Sequence, residues 1–277
     1  MGSRSAYKRS FLASHPVCCF CGGSAPAVEI DHVPPRALFR RRSWPEGYEF
    51  PACQCCNRIT RNDEQIIALL ARLYPDPRSA EEKAEVEERI RAVAQKYPRL
   101  LEEMRPTDEH IRALLKEYGH LVPEGCQVTD LPLFAVNGPL VTNAIENFGR
   151  KLFCALYYKH ASAVLPPRGG IALKWFTNIQ VAGDEIPPEL GNYLVGIPKL
   201  VRCKVNLQDQ FFYRYWVSAG MDTAVFLAFF FQSFAMLGYV KTDADGIQLP
   251  GSVRVLHPFE PRPEDADSRS ARSAPHG

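Results

Sequence analysis

Cys18-Cys19-Phe20-Cys21-Gly22-Gly23 and Cys53-Gln54-Cys55-Cys56-Asn57-Arg58 stand on either side of Val28-Glu29-Ile30-Asp31-His32. The cysteines form two Cys-x-x-Cys pairs, and each pair can chelate one ion. The loop between them is long enough to bring the pairs together around a tetrahedral zinc ion. The two-residue spacer selects Cys18, Cys21, Cys53 and Cys56 and leaves Cys19 and Cys55 as spares. A glycine after the first pair lets the backbone turn its amides toward the thiolates. Four thiolates close the coordination shell, so this zinc is expected to be structural.

Around that clamp the order reads strand, loop, strand, helix. Val28 to Asp31 forms a short strand, which Pro34-Pro35 ends, and Tyr48 to Ala52 forms a second. The second cysteine pair opens a helix on which Ile59, Ile66, Ile67, Leu69, Leu70 and Leu73 recur near helical spacing. Two short strands and one helix bury too little apolar surface to hold themselves together, which gives zinc a direct part in folding.

With zinc closed to chemistry, Asp31 and Asn57 supply the hard oxygen ligands that Mg²⁺ or Mn²⁺ accepts. His32 can then take a proton from an attacking water while the metal stabilises charge on a phosphate. The expected reaction is hydrolysis of a phosphodiester. Ile30-Asp31-His32-Val33-Pro34-Pro35 followed by Cys53-Gln54-Cys55-Cys56-Asn57-Arg58 resembles the HNH (ββα-metal) endonucleases with an accessory four-cysteine zinc site. The resemblance covers about residues 15 to 74. It implies that Asp31 and Asn57 bind the catalytic divalent ion, that His32 activates water, and that cleavage leaves 5′-phosphate and 3′-hydroxyl ends.

The sequence departs from that family twice. A middle Asn usually braces the loop behind the catalytic His, and the second-strand region here offers Tyr48 and Glu49 instead. Some relatives carry a further histidine ligand one turn after the first helix ligand, where this chain has Thr60 and Arg61. On a continuous helix Arg61 shares a face with Asn57, which makes it a candidate clamp for the scissile phosphate. Residues 36 to 61 hold six arginines against two glutamates. Arg36, Arg40, Arg41, Arg42 and Arg58 are therefore candidate contacts to a nucleic-acid backbone, and a solvated surface loop is the plainer alternative. Trp44 in that loop either stacks on a base or covers a local apolar cluster.

The rest of the chain is less explicit. Its 277 residues are 46% hydrophobic with a formal net charge of +2, which suits a globular protein with only weak global steering of polyanions. No apolar run of signal-peptide length follows the basic N-terminus, and six of the nine cysteines crowd into two short clusters, as in a reducing cytoplasm. The expected fold class is α+β: a zinc-stapled ββα-metal nuclease module at 1–76, a helical connector at 77–122, an α+β domain at 123–260 and a disordered tail at 261–277. In the connector, Ser79 and Glu82 can cap a helix from Ala80 to Gln95, and Thr107 can cap another up to Tyr118. Beyond Pro123-Glu124-Gly125, Thr142 to Ala163 reads as a helix. Ile171 to Val181, Val201 to Leu207 and Gln210 to Ser218 read as strands. Thr223 to Leu237 is apolar but shorter than a membrane span, and reads as a buried core helix.

The leading expectation is a DNA endonuclease, with RNA left open as substrate. The C-terminal domain would select substrate, sense a signal, or mediate assembly with itself or a partner protein. The rival is a zinc-ribbon protein that binds nucleic acid and breaks no bond.

Overall fold

The computed structural model describes residues 2–73, 79–118, 134–177, 186, 188–231, 234–247 and 253–261. It opens with α1 (Gly2–Ser14), a helix for which the basic N-terminus gave no expectation. Tyr7, Phe11 and His15 follow one another at four-residue spacing, and their rings meet at 6.2 and 4.5 Å between centroids.

The expected hairpin is present. β1 (Glu29–His32) pairs antiparallel with β2 (Glu49–Ala52), which sets Asp31 opposite Phe50 and His32 opposite Glu49. Two single 3₁₀ turns, at Arg36–Leu38 and Arg40–Arg42, shape the loop between them. The helix expected after the second cysteine pair is instead two, α2 (Gln54–Ile59) and α3 (Asp63–Leu70). Thr60 is buried where Lys151 donates to its hydroxyl at 2.8 Å, and a turn through Arg61 and Asn62 follows. Asp63 and Glu64 then open α3, where negative charge suits the helix N-terminus.

The connector is helical, as expected, in α4 (Ala80–Lys96), α5 (Pro98–Glu103) and α6 (Asp108–Tyr118). The Ser79 hydroxyl accepts from the Glu82 amide at 3.2 Å and that of Thr107 accepts from the His110 amide at 3.3 Å. α7 (Pro139–Ala161) crosses a second, six-stranded antiparallel sheet. The chain supplies this sheet as β3 (Gly170–Thr177), a short helix α8 (Pro188–Gly191), β4 (Val201–Arg202), β5 (Phe211–Val217), β6 (Thr223–Phe230), β7 (Phe234–Lys241) and β8 (Val255–Leu256). Its strand order is β4-β5-β6-β7-β3-β8. The strand expected from Val201 to Leu207 narrows to two residues, and the part of the expected first strand beyond Thr177 lies outside the described residues.

One expectation fails outright: within Thr223 to Leu237 the described residues form the paired strands β6 and β7, not a helix. Ala224, Phe226, Ala228 and Phe230 face one apolar cluster, while Val225, Leu227 and Phe229 face another with Leu190, Leu200 and Phe212. A strand buried on both faces loses the alternation that would betray it, so it reads like a buried helix. The first face meets α7, where Phe148 packs on Phe230 and Phe153 stacks on Phe226. At Gly238 an added Cβ would lie 2.5 Å from the Phe153 ring, so only glycine admits that approach.

The expected domain boundaries near 76 and 123 lie outside the described residues, as does the tail from Arg262. On the described residues, one continuous core runs from Phe20, Phe50 and Leu70 through Phe148 and Phe153 to Phe211 and Phe230. α7 thus packs against both the sheet and α3, which carries the C-terminal half of the chain up to the hairpin.

Candidate functional site

The four selected cysteines converge. Sγ atoms of Cys18, Cys21, Cys53 and Cys56 all lie within 4.8 Å of one another, and all four residues are buried. A tetrahedral ion with Zn–S bonds of about 2.3 Å sets its sulfurs about 3.8 Å apart, so the cluster fits such an ion. Local backbone builds it: Cys53 caps α2 by accepting from the Cys56 amide at 3.4 Å, and Cys18 accepts from the Phe20 amide at 3.4 Å. Gly22 turns the knuckle with φ of +65°, and a Cβ there would stand 2.7 Å from Pro167. Contacts with Cys18, Cys21 and Cys53 push the Cys56 thiol far above its ordinary range, so the four cannot all ionise without a cation among them. Cys19 lies outside the cluster, its thiol raised well above the ordinary range by burial.

β1 sends His32 and Asp31 to opposite sides of the hairpin. On one side, His32 Nε2 lies 3.3 Å from Glu49 Oε1, its cross-strand partner, a close charge contact rather than an aligned hydrogen bond. The Tyr7 hydroxyl of α1 donates to the other oxygen of Glu49. Trp44 stands edge-on to the imidazole at 5.0 Å, and the Arg36 guanidinium lies 3.4 Å above the Trp44 ring. Burial holds His32 below the ordinary histidine range, helped by the positive charge of Arg36 and opposed by Glu49 and Asp31. Among the described residues, the Nε atom of Arg36 is buried without a hydrogen-bond partner. Glu49 therefore stands where the bracing residue was unassigned, whereas Tyr48 turns inward to Tyr213 at 3.1 Å.

On the other side, Asp31 is 8% exposed and both its oxygens are engaged. Oδ1 accepts from the His32 amide at 2.8 Å, and the ammonium of Lys151 on α7 lies 2.5 Å from Oδ2. That pair is a close charge contact rather than an aligned hydrogen bond. Asn57 donates through its amide to Glu29, two residues before Asp31 on the same strand face. Glu64 sits beside this pair, its carboxyl raised to about 7 by burial, with the Asp31 charge adding to the shift and Lys151 opposing it. Asn147 donates to Asp63 at 3.0 Å.

Asp31 and Asn57 were expected to hold Mg²⁺ or Mn²⁺, and their arrangement does not suit one. A cation already faces Asp31, and Asn57 is bonded to Glu29. Among the described residues, the four cysteines are the only group of three or more Cys, His, Asp or Glu side chains close enough to hold an ion. The candidate arginines also divide. Arg40 is committed to Glu85 at 3.2 Å and Glu82 at 3.5 Å, with its amide donating to Gln210. Arg41, Arg42, Arg58 and Arg61 are exposed, and Arg61 lies in the turn after α2 rather than on a helix face shared with Asn57.

The sequence reading missed Tyr7, Glu49 as the partner of His32, and above all Lys151. A signal for Lys151 was present: Phe148, Lys151, Leu152 and Ala155 follow the i, i+3, i+4, i+7 pattern of a buried stripe, and a lysine there needs an anion.

Fold and cluster together define a mixed α+β protein whose two-stranded hairpin is joined to a six-stranded sheet and carries four buried cysteines placed to bind a metal ion. Among the described residues no helix is long and apolar enough to cross a membrane. The chain matches no protein-family profile, no curated protein and no solved structure.

Proposed function

We propose that this chain is an HNH-type endonuclease that hydrolyses DNA phosphodiester bonds, with zinc in the four-cysteine cluster and His32 as general base. The observation that carries this reading is the surroundings of His32: a carboxylate at one ring nitrogen, and beside it a guanidinium whose Nε has no hydrogen-bond partner among the described residues. The Glu49 charge beside Nε2 draws the proton to that nitrogen, though without an aligned hydrogen bond, which leaves the Nδ1 lone pair to accept a proton. An imidazole kept neutral by burial is ready for that role near pH 7.

In the proposed step, water gives its proton to His32 Nδ1 as its oxygen attacks phosphorus. The bond from phosphorus to the 3′ oxygen breaks, and solvent protonates the departing oxygen, which yields 5′-phosphate and 3′-hydroxyl ends. Arg36 binds a non-bridging phosphate oxygen and offsets charge that grows on it. Arg41, Arg42, Arg58 and Arg61, all exposed, serve the flanking backbone.

The Asp31–Lys151 pair favours a second reading, a zinc-ribbon protein that binds nucleic acid without cutting it. Plasmid cleavage with and without Mg²⁺ or Mn²⁺, comparing wild type with His32→Ala, separates the two. The nuclease reading expects a rate loss of about 10²–10⁴-fold in the variant, with zinc content and melting unchanged. Wild type and variant that both bind DNA, retain zinc and cut nothing would establish the binding protein instead.

A further inference from the structure

The carboxylate that the nuclease pattern assigns to a divalent ion is answered here from within the chain. Lys151 Nζ lies 2.5 Å from Asp31 Oδ2 and donates to Thr60 Oγ1 at 2.8 Å. The three residues are almost sealed from solvent, with Asp31 8%, Lys151 3% and Thr60 1% exposed. Two oxygens thus converge on one nitrogen, as they would on a metal ion. We propose that Lys151 is the resident cation of the Asp31 site, a tethered substitute for a divalent metal, and that a divalent ion reaches Asp31 only when Lys151 is replaced.

Three features carry this. First, the ammonium has nowhere to go: α7 is a 23-residue helix, and Lys151 sits on its buried side among Phe148, Leu152 and Ala155. Moving it away would strand a charge in the interior. Second, a divalent ion added beside the ammonium would bring three positive charges against Asp31 and a Glu64 carboxyl that burial raises to about 7, at short range and low dielectric. Third, Lys151 reaches the candidate base through Asp31, whose other oxygen accepts the His32 amide. Lys151 is accordingly a positioning residue that fixes the backbone of His32 and not a group that touches substrate. The inference concerns what binds Asp31 and holds whether or not the chain cuts DNA.

Mn²⁺ titration of the full-length, zinc-loaded protein, with free Mn²⁺ read by electron paramagnetic resonance, tests it. Wild type and Asp31→Asn are expected to take up Mn²⁺ equally weakly. Lys151→Ala should gain one site at least tenfold tighter than any in wild type, and adding Asp31→Asn should remove that site. Wild-type binding that Asp31→Asn abolishes would overturn the proposal, as would a folded Lys151→Ala with no gain. Should Lys151→Ala fail to fold, Lys151→Gln removes the charge while keeping a polar side chain only one atom shorter, and the comparison of wild type with Asp31→Asn decides unaided. Cleavage assays answer separately for the activity, so failure of one reading leaves the other testable.

Discussion

The cysteine cluster and the Asp31 pair serve the same small hairpin by different means. In the cluster, four buried cysteines contributed by residues 18 to 56 bring their sulfurs within reach of one metal ion. In the pair, one buried carboxylate meets an ammonium from residue 151, on a helix beyond the connector. The first is a short-range device that lacks its charge until a metal arrives. The second carries its own charge and needs the whole chain to be folded before the partners meet. The hairpin thus has a local tie, the cysteine cluster placed to hold a metal ion, and a global one through α7, and its candidate catalytic face carries His32, Glu49 and Arg36.

Breaking the local tie should have the largest effect. A structural zinc contributes roughly 10 kcal/mol or more of apparent binding free energy in small zinc modules at pH 7. Cys56 belongs to the same continuous core as Phe50 and Leu70, so losing its sulfur also disturbs packing beyond the knuckle. Cys56→Ala is expected to lose stoichiometric zinc and to lower the melting temperature sharply, as read by elemental analysis and calorimetry. A variant that melts and binds zinc like wild type would show that the cluster is not the staple.

Breaking the global tie should cost less. Removing one partner of a buried ion pair typically costs about 3–5 kcal/mol, because the other charge remains buried without compensation. Asp31→Ala leaves the Lys151 ammonium with the Thr60 hydroxyl as its remaining close partner, and Lys151→Met leaves the Asp31 carboxylate with the His32 amide. The double variant strands no charge, so its destabilisation in urea should fall well short of the sum of the two single effects. Additive losses would mean that the two groups do not interact, and the comparison between the ties would collapse.

The contrast also explains what the sequence made legible. Cys18, Cys21, Cys53 and Cys56 were identified because chelation imposes a spacing along the chain, and the first hairpin strand because Pro34-Pro35 ends it. The Ser79 and Thr107 caps were readable for the same local reason. Asp31 was named as a metal ligand, but its pairing with Lys151 was not legible, since no local pattern links residues on separate elements, although a lysine inside the apolar stripe of α7 was a readable anomaly. Burial on both faces hid β6 and β7 among apolar residues that any buried element would share. Arg61 was misplaced because helical periodicity alone does not reveal that Thr60 is drawn into the interior and ends α2.

The smallest expected effect lies on the candidate catalytic face and tests whether Glu49 belongs to the site. His32 is held below the ordinary range of about 6.5 by burial and Arg36, while Glu49 and Asp31 pull the other way. Glu49→Gln deletes a negative charge that favours the imidazolium, so the titration point of His32 should move further down. Arg36→Ala deletes a positive charge that disfavours the imidazolium, and the point should move up. In the proposed mechanism deprotonated His32 is the active base, so the acid limb of a cleavage profile is expected to move with it: toward lower pH in the first variant and toward neutral pH in the second. Titration of the His32 ring signals by nuclear magnetic resonance reads both shifts without depending on turnover. Shifts of the same sign in the two variants would mean that repacking around Trp44, rather than charge, governs the imidazole, and Glu49 would then lose its place as the partner that sets the tautomer of His32.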